Sequence, residues 1–175
     1  MENLRQLDTK AKATTTVLWI LSNICAESIE FIEEILATEL PKILIKIASE
    51  EEECLRTEGM YCLRNMLMIA SKEQIQELVS KNIVKSISVN LDSHHNSSLI
   101  EMTLNCLYKL LVAGDSMTGG NHELNPYARL IWDTASESLF RLQNHKNEKI
   151  CKMINCLMDE YFDPLSHQND NLMKE

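Results

Sequence analysis

The chain has few of the residues that make tight turns, with only 4 Gly and 3 Pro among its 175 residues. A fold built mainly of β-strands needs more of both, because Gly and Pro supply the backbone conformations of its turns. Leu, Ile, Met, Glu and Lys are abundant instead, and these residues favour helix. With 45% hydrophobic residues, the chain has enough apolar material for a packed core. The composition therefore predicts an all-α protein.

Signatures of membrane insertion, secretion and catalysis are also missing. No apolar run reaches the about 18 residues that a membrane-spanning helix needs, and the start, Met1-Glu-Asn-Leu-Arg-Gln, has no apolar signal-peptide region. The sequence holds no H-E-x-x-H motif, phosphate-binding Gly loop or nucleophile elbow. His94 and His95 have no cysteine or third ligand near them in the sequence. We therefore expect no enzyme activity, no catalytic residues, no cofactor and no metal site.

The cysteines form no C-x-x-C pair and no recognisable disulfide framework. Most of them lie in apolar helical stretches, where a free cysteine behaves as a small hydrophobe. This usage predicts a reducing compartment, the cytosol or the nucleus. The cysteines are Cys25, Cys54, Cys62, Cys106, Cys151 and Cys156.

The chain is acidic, since 17 Lys and Arg face 26 Asp and Glu, for a net charge of −9. Such a surface disfavours nucleic acid and anionic membranes as partners and suits a basic one. The alternative is that the acidity only aids solubility.

Apolar periodicity predicts a series of helices. Pro41 fits a first helical turn, Ser71 fits an N-cap, and Gly114 fits the residue that closes a long helix. The stretch from Gly114 to Asn125 is expected to be the longest loop, and residues 163–175 a flexible acidic and polar tail. The predicted helices span residues 10–26, 28–37, 40–48, 51–70, 73–80, 83–91, 97–113, 125–142 and 147–162.

Two stretches carry the same signature: Trp19-Ile-Leu-Ser-Asn23 and Tyr61-Cys-Leu-Arg-Asn65, with both the aromatic and the asparagine offset by 42 residues (19 to 61, 23 to 65). A second alignment, Ile32 to Leu40 with Ile75 to Ile83, has an offset of 43. Helical repeats of about 40–47 residues indicate an α-solenoid, and units of three helices favour the armadillo type over HEAT. We predict an all-α, armadillo-repeat, right-handed superhelical solenoid over residues 1–162. Its parts would be a partial first repeat at 8–26, repeats at about 28–70 and 73–113, and a C-terminal cap at 125–162.

Each long helix would present a ring and an amide side by side, because residues i and i+4 share a helical face. Rings on neighbouring helices could flank the side chain of a Lys or Arg, and Asn23 and Asn65 could bond a peptide backbone. Glu58 shares the face of Tyr61 and could pair with a cation, whereas Ser22 beside Asn23 could add a hydrogen bond. The alternatives are that the rings belong to the core, the asparagines cap local turns and Glu58 is a solvated carboxylate.

The first long helix lacks the two helices that would precede it in a complete unit. Its apolar face is therefore expected to be open on one side, since solenoids normally end in a polar cap. We expect either the C-terminal portion of a longer protein or an edge that meets another chain.

The chain resembles the C-terminal part of importin α (karyopherin α), about repeats seven to ten, over residues 12–162. The most specific match is Asn125-Pro-Tyr-Ala-Arg-Leu-Ile131. The other matching stretches are Trp19-Ile-Leu-Ser-Asn-Ile24, Lys72-Glu-Gln-Ile-Gln-Glu-Leu-Val79, Thr103-Leu-Asn-Cys-Leu107, Leu142-Gln-Asn-His-Lys-Asn-Glu148 and Asp159-Glu-Tyr-Phe162.

This resemblance implies an adaptor for nuclear import that binds basic nuclear localisation signals at a minor site in its groove. Trp19, Ser22 and Asn23 match one repeat of that site, and Glu58 and Asn65 match the next. Tyr61 stands where the family has Trp. Asn105 matches an asparagine of the following repeat, where Lys109 ends the asparagine ladder.

The resemblance also implies partners and a location. The importin-β-binding arm and the early repeats are missing, so importin-β is not expected to bind, and the chain is expected in nucleus and cytoplasm. The end region is used in the family for an export receptor and a nucleoporin, and Trp132 there replaces an acidic residue. Two alternatives to cargo binding stay open: an interaction scaffold that works through the C-terminal cap, and a truncated fragment without an independent role.

Overall fold

The computed structural model describes the backbone of residues 2–162 and the side chains of residues 12–162. Within residues 2–162 all regular structure is helical, as the composition predicts. Two short 3₁₀ turns, Val89–Asp92 and His122–Leu124, join the longer elements. The α-helices are α1 (Glu2–Ile24), α2 (Ile29–Leu36), α3 (Leu40–Glu50), α4 (Glu53–Ile69), α5 (Lys72–Ser80), α6 (Ile83–Ser88), α7 (Ser97–Met117), α8 (Pro126–Leu142) and α9 (Glu148–Tyr161).

Side-chain caps set the starts of most of these helices. The Ser71 hydroxyl accepts from the backbone N–H of Gln74, whose side chain in turn accepts from the backbone N–H of Ser71, so α5 begins with a capping box. Ser28 and Asn147 cap α2 and α9 by accepting backbone N–H bonds in the same way. Pro41 lies in the first turn of α3, where a missing N–H leaves no hydrogen bond unmade. The predictions for Ser71 and Pro41 are confirmed.

The helix predictions are confirmed except at a few ends. Helix α1 begins at Glu2 instead of about residue 10, and the predicted helix 83–91 ends at Ser88 and continues as a 3₁₀ turn. The tail predicted at residues 163–175 lies outside the described residues.

The prediction that Gly114 closes α7 is wrong, because the helix continues to Met117. The left-handed residue is Gly119, with φ of 66°, and the N–H of Gly120 bonds back to the Asp115 carbonyl at 2.9 Å, as in a Schellman end. Gly114 serves a different purpose. A Cβ atom at this position would lie 2.1 Å from Asn125 Oδ1, so only glycine lets the Asn125 side chain approach α7.

The chain divides into two compact units, residues 1–87 and 88–175. In the first unit α4 packs against both α1 and α3, and α2 packs against α3 and α5. In the second unit α7, α8 and α9 pack against one another. Large apolar side chains fill each interior: Leu44, Met60, Leu63 and Leu67 in the first unit, and Leu99, Leu107, Ile131 and Ile154 in the second.

The open apolar side expected on the first helix is present. Val17 and Ile20 of α1 and Ile43 of α3 are all exposed. Val17 and Ile43 line an open groove between α1 and α3 whose walls are almost entirely apolar.

Candidate peptide-binding surface

Helices α1 and α4 run parallel and are joined by two bonds from α4 side chains to α1 carbonyls. The Cys62 thiol donates to the Leu18 carbonyl with an Sγ–O distance of 3.2 Å. One turn further along both helices, Asn65 Nδ2 donates to the Ser22 carbonyl at 2.8 Å. Trp19 follows Leu18 in the chain, and Tyr61 precedes Cys62. The two bonds therefore place Trp19 and Tyr61 at matching levels on neighbouring helices.

Two thiols at this helix pair, those of Cys25 and Cys62, are buried and unreactive. Burial raises the pKa of Cys25 to about 11 and the pKa of Cys62 to about 12. The thiolate form is the reactive one, so both cysteines stay neutral at physiological pH. The six cysteines are free thiols. No group of three or more His, Cys, Asp or Glu side chains within residues 12–162 is arranged to hold a metal ion.

The α1 part of the predicted site is divided between surface and interior. Trp19 is 61% exposed, and Asn23 beside it is exposed while its Nδ2 donates to the Trp19 carbonyl at 2.9 Å. The Ser22 hydroxyl donates to the same carbonyl at 2.8 Å, and this residue is only 7% exposed. The structure therefore brings Trp19 and Asn23 to the surface but turns Ser22 inward.

The α4 part of the predicted site is divided in the same way. Tyr61 is 39% exposed, and Glu58, one turn before it, is half-buried. Asn65 is also half-buried and its amide is engaged at both ends: Nδ2 donates to the Ser22 carbonyl, and Oδ1 accepts from Arg64 Nη1 at 3.3 Å. We use the name α1–α4 face for the exposed side chains of Trp19, Asn23 and Tyr61 together with the half-buried side chain of Glu58.

Asn105 belongs to the second unit, where it is exposed on α7. The residue that sequence reasoning missed there is Tyr108, which is 48% exposed one turn further along the same helix. Its spacing of three residues from Asn105 was the available signal. The ring of Tyr108 meets that of Tyr161 on α9 edge to face, with centroids 6.4 Å apart.

A partly buried polar cluster around Asp115 was also missed. Its carboxylate accepts from the Tyr161 hydroxyl at 2.7 Å, from Asn125 Nδ2 at 2.8 Å, and lies 2.9 Å from His122 Nδ1. Burial alone would raise the pKa of Asp115, but the bonds from Tyr161, Asn125 and His122 together lower it. Burial, followed by the bond to Asp115, raises the pKa of Tyr161 above its ordinary range. The cluster holds the start of α8 and the end of α9 against α7.

No helix in residues 2–162 has the length and apolar character to cross a membrane.

No protein-family model matches the chain. Two curated plant proteins do match: importin subunit alpha-2 of Oryza sativa subsp. japonica, 26% identical over 151 residues, and importin subunit alpha-5 of Arabidopsis thaliana, 26% identical over 133 residues. The matches cover 82% and 75% of this chain. The chain spans about a quarter of the length of these relatives, 28% and 25%.

Solved structures share the fold at low sequence identity. A computationally designed armadillo repeat protein for modular peptide recognition is 19% identical, with a TM-score of 0.70 over 85% of this chain and 58% of that one. A second designed armadillo repeat protein has a TM-score of 0.65 at 18% identity, over 85% and 58% of the two chains. A third, in complex with the peptide (KR)4, has a TM-score of 0.52 at 17% identity, over 84% and 74%. The protein therefore has the all-α armadillo-repeat fold, and it is an armadillo-repeat protein with distant sequence similarity to importin α.

Proposed function

We propose that this protein binds basic, Lys- and Arg-rich peptide segments non-catalytically on the α1–α4 face, as an adaptor for nuclear localisation signals that works in nucleus and cytoplasm. The observation that carries the proposal is the exposure of Trp19 and Tyr61 at matching levels on parallel helices. Packed helices lie about 8–10 Å apart, which leaves room for the aliphatic stem of a Lys or Arg between the rings.

The remaining side chains of this face suit a basic peptide. An ammonium or guanidinium group over a ring gains about 0.5–2 kcal/mol, depending on how fully it leaves water. The half-buried carboxylate of Glu58 lies one turn from Tyr61 and offers a counter-charge. The exposed amide of Asn23 offers a hydrogen bond to the peptide backbone. Ser22 and Asn65 would support this face from beneath, because both are bonded to carbonyls of α1.

Two comparisons support the same function. The distant similarity to importin α favours recognition of localisation signals. A designed protein of the same fold is bound to (KR)4, an alternating basic peptide. The net charge of −9 would add long-range attraction for such ligands at low salt.

A titration of a fluorescent Lys/Arg-rich peptide, read by anisotropy at low salt and at about 0.15 M salt, tests this function. We expect salt-sensitive binding that falls about tenfold to a hundredfold in the double variant Trp19→Ala/Asn23→Ala, through loss of the ring contact and a hydrogen bond. Phe31→Ala is the matched control, because Phe31 is an exposed aromatic of α2 outside the proposed face. A folded, monodisperse wild type that does not bind the peptide would exclude the function.

The second candidate function is an interaction scaffold that uses the C-terminal cap to hold an export receptor or a nucleoporin. Leu130 and Phe140 favour it, because both are exposed on α8. Trp132 is buried among rings, 5.4 Å from the centroids of both Phe140 and Phe162, and so supports the cap from inside. The double variant at Trp19 and Asn23 would leave this function intact.

A further inference from the structure

The second unit contains an open groove between α7 and α9 with a volume of about 320 Å³. Its floor is apolar and is formed by Leu104, Met153 and Leu157. Its rim is polar and exposed, with Asn105 and Tyr108 on α7 and with Lys152 and Glu160 on α9. We call this feature the α7–α9 groove.

Helices α7 and α9 run parallel, as two pairs of contacts show. Near their starts, Glu101 of α7 pairs with Lys149 of α9. Near their ends, Asp115 bonds Tyr161. Contacts at both ends hold the helices side by side, so the α7–α9 groove is an ordered surface between two anchored helices.

The rim of the groove has a positive and a negative end. Lys152 and Glu160 are eight positions apart on α9, which is about 12 Å at 1.5 Å per residue. No ion pair of Lys152 or Glu160 occurs among residues 12–162, although the Glu160 carboxylate interacts with the hydroxyl of the adjacent Tyr161. Both charged side chains are exposed, at opposite ends of an apolar floor.

We propose that the α7–α9 groove binds an extended peptide segment of a partner protein that carries an acidic, an apolar and a basic side chain at positions i, i+2 and i+4, in either order of the charges. In an extended chain these side chains lie on one face, and positions i and i+4 are about 13 Å apart. That spacing is close to the rise of about 12 Å along α9 between Lys152 and Glu160. The central apolar side chain covers the floor at Leu104 and Leu157.

The remaining rim residues suit the same ligand. The Asn105 amide can both donate to and accept from the backbone of an extended peptide. Tyr108 offers a ring face beside the groove, which a basic side chain bound at Glu160 can cover with its stem. This site is separate from the α1–α4 face and does not rest on the proposed function, since its ligand carries both charges and is not a run of Lys and Arg.

The test uses the ¹⁵N-labelled 175-residue protein and three short capped peptides. The peptides are Gly-Glu-Ser-Leu-Ser-Arg-Gly, the same peptide with Arg at both charged positions, and the same peptide with Glu at both. We expect the mixed peptide to shift backbone amide signals of α7 and α9 at low salt. It should bind about threefold to tenfold more tightly than either single-sign peptide. Replacing its Leu by Ser should abolish the shifts.

Two single variants each reverse the charge at one end of the groove. Lys152→Glu should prefer the peptide with two Arg, and Glu160→Lys should prefer the peptide with two Glu. Lys146→Glu and Glu137→Lys are the matched controls, because they make the same charge changes at exposed positions that do not line the groove.

The two proposals can fail independently. If the groove variants leave peptide preference unchanged, or if the mixed peptide shifts no α7 or α9 signal in the folded protein, the mixed-charge site is excluded. The proposed binding of basic peptides on the α1–α4 face is tested separately, by the anisotropy titration of wild type and Trp19→Ala/Asn23→Ala.

Discussion

Asn65 on α4 donates its amide hydrogen to the Ser22 carbonyl of α1 across a distance of 2.8 Å. This carbonyl lies in the last turn of α1, where backbone oxygens lose their usual partners. The N–H of Ala26, which would reach Ser22 in a continuing helix, bonds the Asn23 carbonyl instead. The ladder asparagine of the second signature is thus an end cap for the neighbouring helix.

We expect Asn65→Ala to lower the free energy of unfolding by about 1 kcal/mol more than Asn23→Ala does. Both changes replace Asn by the better helix former Ala, so their difference isolates the bond between the helices. Urea denaturation followed by circular dichroism measures it. Equal stability of the two variants would show that the bond to Ser22 contributes nothing.

Enlarging the ring at position 61 should strengthen binding of basic peptides. Tyr61 is partly exposed, so Tyr61→Trp can extend outward without disturbing the core. Trp offers the strongest cation–π face, and we expect an affinity gain of about twofold to threefold in the anisotropy titration. Phe31→Trp adds an indole elsewhere on the same unit and serves as the control. A gain of the same size in the control would indicate nonspecific binding.

Gly114→Ala should strongly destabilise the second unit. Its new methyl group would overlap the Asn125 side chain, which accepts from the N–H groups of Tyr127 and Ala128 and so caps α8. Overpacking and the lost cap together predict a loss of about 2–4 kcal/mol.

A double-mutant cycle with Asn125→Ala checks the cause of this loss. Truncating Asn125 removes the overlap, so the double variant should be more stable than the sum of the single changes predicts. If the losses of stability in the two single variants are additive in the double variant, the destabilisation by Gly114→Ala does not come from overlap with Asn125.

The Asp115 cluster predicts an acid-sensitive contribution to stability. The pKa of Asp115 is lower in the folded protein than in the unfolded chain. Its stabilising effect is therefore complete above the unfolded pKa, near 3.9, and is lost as pH falls through the lower folded value. Asp115→Asn should be clearly less stable than the wild type at pH 7, and the difference should shrink by pH 3.

Urea denaturation at the two pH values measures this difference. Asp133→Asn, at an exposed residue of α8, is the control. If the difference in unfolding free energy between wild type and Asp115→Asn is the same at both pH values, the ionised Asp115 carboxylate does not contribute to stability as proposed.

The fold was largely predictable because its signals are local. Periodic apolar residues, Pro41 and the Ser71 cap each act within one or two turns, and the repeated signature supplied the armadillo architecture. The prediction at Gly114 was wrong because the glycine is required by the side chain of Asn125, which approaches α7 from a different element. In the sequence, a glycine that leaves room for a neighbouring side chain cannot be distinguished from a glycine that ends a helix.

The candidate site was predictable only in part for the same reason. Helical spacing groups Trp19, Ser22 and Asn23 on neighbouring positions, but it does not say which of them the adjacent helix covers. Ser22 is covered and Trp19 is not. The hydrogen bond that the Tyr161 hydroxyl donates to Asp115 joins residues 46 positions apart and belongs to no short motif. Recognition of a basic peptide stays a prediction for the whole predicted set, which is Trp19, Ser22, Asn23, Glu58, Tyr61, Asn65 and Asn105.

The Asp115 carboxylate joins α7 to the turn before α8 and to the last turn of α9. If the turn before α8 or the last turn of α9 opens, the Asp115 carboxylate loses a hydrogen-bond partner. The remaining segment is then held less firmly against α7. The cap should therefore open as one cooperative piece. Native-state hydrogen exchange can measure this opening at the backbone amides of Tyr127 in α8 and Tyr161 in α9. The two amides should have the same free energy of opening, and both should exchange faster in the Asp115→Asn variant.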